Sequence, residues 1–183
     1  MAYLESQTFD ARTNGMSGAT PGDDGAAFRL AMREFANGVA LITATHREQR
    51  SGCTATSFCS LSLEPPTLLV CIARTSSTLA VLRAAEAFGV NIVAGAHEGL
   101  AERFAGRHGV KGAARFTGAE WMTLATGAPL LTDALACMDC TVEEVLERHT
   151  HAIVIGRVEA VRRSASAPAL VHWRGRFQQL GRG

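Results

Sequence analysis

Beyond residue 38 the apolar residues stop recurring at helical spacing and come in short β-branched runs, and this change of period limits the fold most. Before it, Phe28, Ala31, Met32 and Phe35 fall at i, i+3, i+4 and i+7, one apolar face of a helix that Asp23 or Asp24 can cap. Gly38 reads as its stop. After it, Val39–Thr45 reads as a strand, and the short polar stretch His46–Ser51 as a hairpin connection. Gly52–Leu63 is a second strand, which Pro65 and Pro66 end because proline cannot donate to a ladder. Thr67–Ala73, apolar on both faces, is a third and central one.

A short helix capped by Ser76 or Ser77 follows, then a strand at Phe88–Ala94 and a helix at His97–Phe104. Residues 105–120 are Gly-rich and irregular. Leu135–Glu147 and Ala152–Arg162 pair around His149-Thr150-His151, and a last strand at Ala169–Trp173 leads through Gly175 to Arg176–Leu180. These strands, about six in all, and two or three short helices do not alternate as β-α-β, and no G-x-G-x-x-G or P-loop follows a strand. Closing such a sheet on itself removes two unpaired edges. Residues 1–23, broken by Gly15, Gly18, Pro21 and Gly22, form a loose arm, and 24–183 a single domain.

Charge narrows the partners. Eighteen Lys and Arg against seventeen Asp and Glu leave +1, too little field to draw in nucleic acid or an anionic membrane. The longest apolar run, Leu68–Ala73, falls far short of a membrane-spanning helix. No secretory pattern opens the chain, so a cytoplasmic location is expected. Five cysteines, an odd count, then read as reduced thiols.

The most informative segment is Gly52-Cys53-Thr54-Ala55-Thr56-Ser57-Phe58-Cys59-Ser60-Leu61-Ser62-Leu63-Glu64-Pro65-Pro66. Hydroxyls recur at 54, 56, 57, 60 and 62, with a small residue at 55. Small side chains let a flat ligand approach the backbone and its N–H groups, although an edge strand rich in Thr and Ser looks the same. The segment resembles the G-x-T-A-x-S-F-x-S-x-S-x-x-P-P signature of the short-chain NAD(P)H:flavin oxidoreductases, reductase partners of two-component flavin-dependent monooxygenases. Further matches follow in order: Thr67–Ala73 with Arg74-Thr75-Ser76-Ser77, Phe88-Gly89-Val90-Asn91-Ile92, Leu100–Ala105, His151 to Gly156, and Trp173–Phe177. Together they span about residues 26–180.

The resemblance implies a mainly β fold with short helices, a closed six-stranded antiparallel split β-barrel of Greek-key type that binds FMN, commonly as a homodimer. It implies that FMN or FAD lies on the signature strand, with NADH or NADPH as hydride donor. Carried over by motif, Thr54, Ala55, Thr56 and Ser57 meet the flavin ring and ribityl chain. Ala73, Arg74 and Ser77 sit near the phosphate, Asn91 faces the flavin, and Arg103 reaches toward the phosphate. His151 matches the histidine of the nicotinamide site, although His149-Thr150 stands where a Gly-Asp or Gly-Thr is common. Hydride then passes to the flavin, and reduced flavin leaves by diffusion to a monooxygenase. A flavin carrier or sensor, a reductase that retains its FMN, and a cofactor-free β-barrel module are the alternatives.

His149 and His151 share a strand face, but no third metal ligand has suitable spacing, so no metal is expected. Cys137-Met138-Asp139-Cys140 lies in a strand, where residues three apart point to opposite faces, so it reads as structural rather than redox. Phe58, Phe116 and Trp121 read as core or dimer contacts.

Overall fold

The computed structural model describes residues 24–164 and 167–181; the expected arm at 1–23 and the candidate cap Asp23 lie outside them. The run at 39–44 is apolar but for Thr43, and the chain buries it on both sides. Val39 and Leu41 join one core, while Ala40, Ile42 and Ala44 join the other. The strand that carries it, β2 (Ala40–His46), follows α1 (Asp24–Arg33) and the two-residue β1 (Asn37–Gly38). Next come β3 (Gln49–Ala55), β4 (Phe58–Leu63), β5 (Pro66–Ala73), α2 (Ser77–Ala85) and β6 (Ala87–Ile92). Then come α3 (Glu98–Phe104), the short β7 (Trp121–Met122) and β8 (Leu130–Leu131), and the long hairpin β9 (Ala136–Arg148) and β10 (His151–Arg163). The hairpin β11 (Ala169–Trp173) and β12 (Arg176–Leu180) closes the chain.

The fold is mainly β with short helices. One seven-stranded antiparallel sheet, in the order β3-β2-β6-β9-β10-β5-β4, carries the molecule. A three-stranded sheet β1-β11-β12 and the β7-β8 pair complete it. The expected closed six-stranded barrel is not what the hydrogen bonds form, since no ladder among the described residues joins β3 to β4 or β5. The expected single strand Gly52–Leu63 breaks at Thr56 and Ser57, and its two halves occupy opposite edges of the sheet. The sheet therefore curls, and β3 comes against β5 across a seam. Ser57 ties the joint down: its carbonyl accepts from Cys71 N at 2.8 Å and its hydroxyl donates to Cys71 O at 3.2 Å. β5 is consequently one strand from an edge rather than central, although β10 and β4 cover both its sides.

Two cores flank the sheet. Ile42, Val70, Leu79, Leu82, Phe88, Val90 and Val154 fill one; Val39, Leu41, Val93, Phe104, Phe116, Leu130 and Leu170 fill the other. Cys140 belongs to the first and Cys137 to the second, so the C-x-x-C does straddle the sheet. Phe88 lies fully buried over Gly156, where a Cβ would stand 2.4 Å from its ring; burying such a ring contributes about 1.5–3 kcal/mol. The apolar face of α1 behaves differently. Phe28, Met32 and Phe35 remain 66%, 45% and 60% exposed, so the periodicity identified a face that the described residues do not cover. Nor does Gly38 stop the helix, which ends at Arg33; Gly38 belongs to β1 and pairs with Val171 of β11. Among the described residues no helix is long and apolar enough to cross a membrane.

Candidate functional site

The seam creates a cleft. Its walls are Cys53, Thr54 and Ala55 from β3, the joint residues Thr56 and Ser57, and Cys71, Ile72 and Ala73 from β5. Ser76 and His151 complete it. β3 is an edge strand, and beyond Val70 strand β5 keeps β10 on one side while β4 begins only at Phe58 opposite Val70, so β3 and the end of β5 face each other across the seam.

Each polar group in the wall has a distinct assignment. Thr54 is buried, and its hydroxyl donates to Ala101 O at 2.6 Å, lashing α3 to β3. Ser76 is the N-cap of α2, accepting from Thr78 N at 3.2 Å. Ser77 stands outside the lining, with its Oγ 3.1 Å from Ser51 Oγ. The nine-residue α2 therefore opens at one end of the cleft, where orphan N–H groups and the helix dipole favour an anion. At the other wall, His151 pairs with Ala73 across the β10–β5 ladder, and its Nδ1 lies 2.8 Å from the Thr150 hydroxyl.

Three residues expected at the ligand are engaged elsewhere. Asn91 is fully buried. Its amide donates to Leu41 O at 2.9 Å and Thr43 Oγ1 at 3.2 Å, and its oxygen accepts from Leu131 N at 2.7 Å and Cys137 Sγ at 3.4 Å. With its bonding capacity met inside the second core, it ties β2, β6, β8 and β9 together and does not line the cleft. Arg103 donates to Thr117 O and also lies off the lining. Arg74 turns its guanidinium to Glu147, at 2.9 Å, and to His149 O, at 3.1 Å.

Cys53, Cys71, Ile72 and Ser76 are lining residues that the motif reading did not single out. The pairing of β5 against the joint was the missing information; alternation along Thr67–Ala73 alone carries no hint of which face meets a ligand. Burial raises both the Cys53 and the Cys71 thiol above the ordinary range, which makes them uncharged wall atoms rather than nucleophiles at neutral pH. Among the described residues no group of three or more His, Cys, Asp or Glu is placed to hold a metal ion.

The model of the flavin reductase like domain matches residues 32–181. FMN reductase (NADH) RutF 2 of Methylorubrum extorquens is 42% identical over 156 residues, which cover 85% of this chain and 90% of that one. Among solved structures, BorF, the flavin reductase component of a bacterial two-component tryptophan halogenase, superposes with a TM-score of 0.78 at 32% identity, covering 86% of this chain and 98% of its own. Streptomyces globisporus NADH:FAD oxidoreductase SgcE6, in complex with NAD and FAD fragments, gives 0.80 at 26% identity, covering 91% and 98%.

Proposed function

The chain belongs to the flavin reductase-like domain family, and on that premise we propose that it is an NAD(P)H:flavin oxidoreductase with FMN and NADH as its working pair. The observation that carries the reading is the seam cleft, open-backed between β3 and β5 and bounded by the α2 N-terminus and His151. A flavin ring fits along Thr54–Ser57 and Ala73, where no bulky side chain stands in the way. Its phosphate fits the α2 end beside Ser76 and Ser77. The cofactors supply the chemistry, hydride transfer from nicotinamide C4 to flavin N5. The chain supplies geometry. The backbone of the joint orients the ring, and His151 offers a polar group at the edge where the nicotinamide enters.

The curled seven-stranded sheet is the counterpart of the family's split barrel, with the seam as the split. Reduced flavin leaves for a monooxygenase component, in keeping with the halogenase partnership of BorF. The exposed α1 face, with Leu61 and Leu63 on edge strand β4, supports a homodimer that covers them. All five cysteines are unpaired thiols, which suits a reducing cytoplasm.

The test is oxidation of NADH and NADPH followed by absorbance, with FMN, FAD or no added flavin. Oxidation that saturates with added FMN supports the proposal. Folded protein that turns over no pair of substrates refutes it. Ala55→Leu tests the placement: it should weaken FMN binding at least tenfold, and unchanged binding would move the ring off the joint.

A further inference from the structure

We propose that Arg74, Glu147 and Thr150 form a positioning layer that holds the His151 ring at the cleft, and that the Arg74 guanidinium is not a phosphate ligand. The inference rests on the flavin reductase reading for its substrates and on the turn geometry for its mechanism.

The β9–β10 turn needs holding. His149 adopts a left-handed conformation at φ 48°, which a residue with a Cβ takes at a cost, so the turn persists only where its surroundings determine it. Arg74 supplies that determination three times. Its backbone N donates to Thr150 O at 3.0 Å, its Nη1 donates to His149 O at 3.1 Å, and its Nη2 meets Glu147 Oε2 at 2.9 Å. The other oxygen of Glu147 accepts from Arg83 of α2 at 2.7 Å. One carboxylate thereby joins the helix that opens on the cleft to the turn that delivers His151. The hydrogen bond from Arg83 and the charge of Arg74 hold the Glu147 carboxyl below the usual carboxylate range, so it stays ionised in this role at neutral pH.

Beyond the turn, the Thr150 hydroxyl engages Nδ1 of His151 at 2.8 Å. That leaves Nε2 as the ring nitrogen available to a ligand. Register places the ring beside Ala73, in the wall of the cleft. The guanidinium is directed at Glu147 and the His149 carbonyl, and drawing it toward a phosphate would strain these two contacts and loosen the turn that carries His151. Exposed ion pairs of this kind contribute little to stability, so their loss is read in geometry and not in folding.

The first experiment is FMN and riboflavin binding to the full chain by flavin fluorescence, which needs no turnover. In Arg74→Ala the two affinities should change by the same factor, within twofold. A tenfold loss for FMN with riboflavin unchanged makes Arg74 a phosphate ligand and overturns the proposal. The second is steady-state NADH oxidation. Misplacing a reacting partner by about 1 Å costs on the order of 100-fold, so partial release of the ring in Glu147→Gln and Thr150→Val should lower kcat about tenfold. KM for FMN should stay within twofold, and Thr150→Ser should restore kcat where Val does not. Wild-type kcat in both Glu147→Gln and Thr150→Val overturns the layer. If the wild type itself fails to oxidise NADH, the reductase reading fails separately. The His151 ring-proton resonance, assigned with His151→Gln, then decides: displacement in both variants supports the layer, and an unmoved resonance overturns it.

Discussion

Gly52 offers a direct test of how the cleft wall is built. A Cβ there would stand 2.4 and 2.9 Å from two Phe104 ring carbons and 3.0 Å from Ile42 O. Carbon atoms pack at about 3.5–4.0 Å, so Gly52→Ala forces a displacement of roughly 1 Å. The ladder fixes the Ile42 carbonyl, and Phe104 is 1% exposed with Phe116 and Trp121 at centroid distances of 5.0 and 5.7 Å. The ring has no space to retreat, and overpacking of this kind costs about 1–3 kcal/mol. At about 2–4 °C per kcal/mol for a domain of this size, Tm should fall about 2–12 °C in calorimetry. Phe104 also carries α3, which Thr54 bonds through Ala101 O, so the FMN affinity should fall in the same variant. Adding Phe104→Leu to Gly52→Ala should be less costly than Phe104→Leu alone by about 0.5–2 kcal/mol, because the two sites touch. A wild-type Tm in Gly52→Ala, or additive losses in the double variant, would refute the close-contact account.

Asp139 is fully buried and accepts from Thr126 N at 2.8 Å and from the Thr126 hydroxyl; Asp139→Ala strands both donors and should lower stability about 2–4 kcal/mol in urea unfolding. Asn91→Ala should cost about 3–5 kcal/mol by the same assay, while the folded fraction keeps its ratio of FMN to riboflavin affinity. Burial pushes the Cys137 thiol up to about 11 and Cys140 up to about 12, against 9.0 when unfolded. The folded state therefore keeps protons that the unfolded state loses, so stability should be intact below pH 9 and decline between pH 9 and about 12. Cys140→Ala should flatten that alkaline decline in Tm against pH. Iodoacetamide should label exposed Cys59 in the native state and reach buried Cys140 only on unfolding.

Much of the fold was legible along the chain. The β-branched run at 39–45, the hairpin about His149 and Thr150, the Gly175 turn and the Ser76 cap all depend on neighbours within a few residues. So did the opposite facing of Cys137 and Cys140, since alternation along one strand suffices to derive it. The resemblance singled out Thr54–Ser57, Ala73 and His151, and the structure brings them around one cleft.

What tertiary structure alone decided has one physical cause. Sheet curl brings residues far apart in sequence into contact, and local periodicity carries no record of it. The composition of Gly52–Leu63 is continuous, yet curl separates it into two edges at Thr56 and Ser57. A polar residue in an apolar strand reads equally as ligand or hub; Asn91 became a hub because Leu131 N, forty residues on, arrives at its oxygen. Arg74 likewise took its partner from Glu147 across the β9–β10 turn. The α1 periodicity predicted an apolar face, but covering it takes a surface that the described chain does not provide. Local pattern thus determined which segments became strands and which residue types a cleft required, and long-range packing determined which of those residues face it.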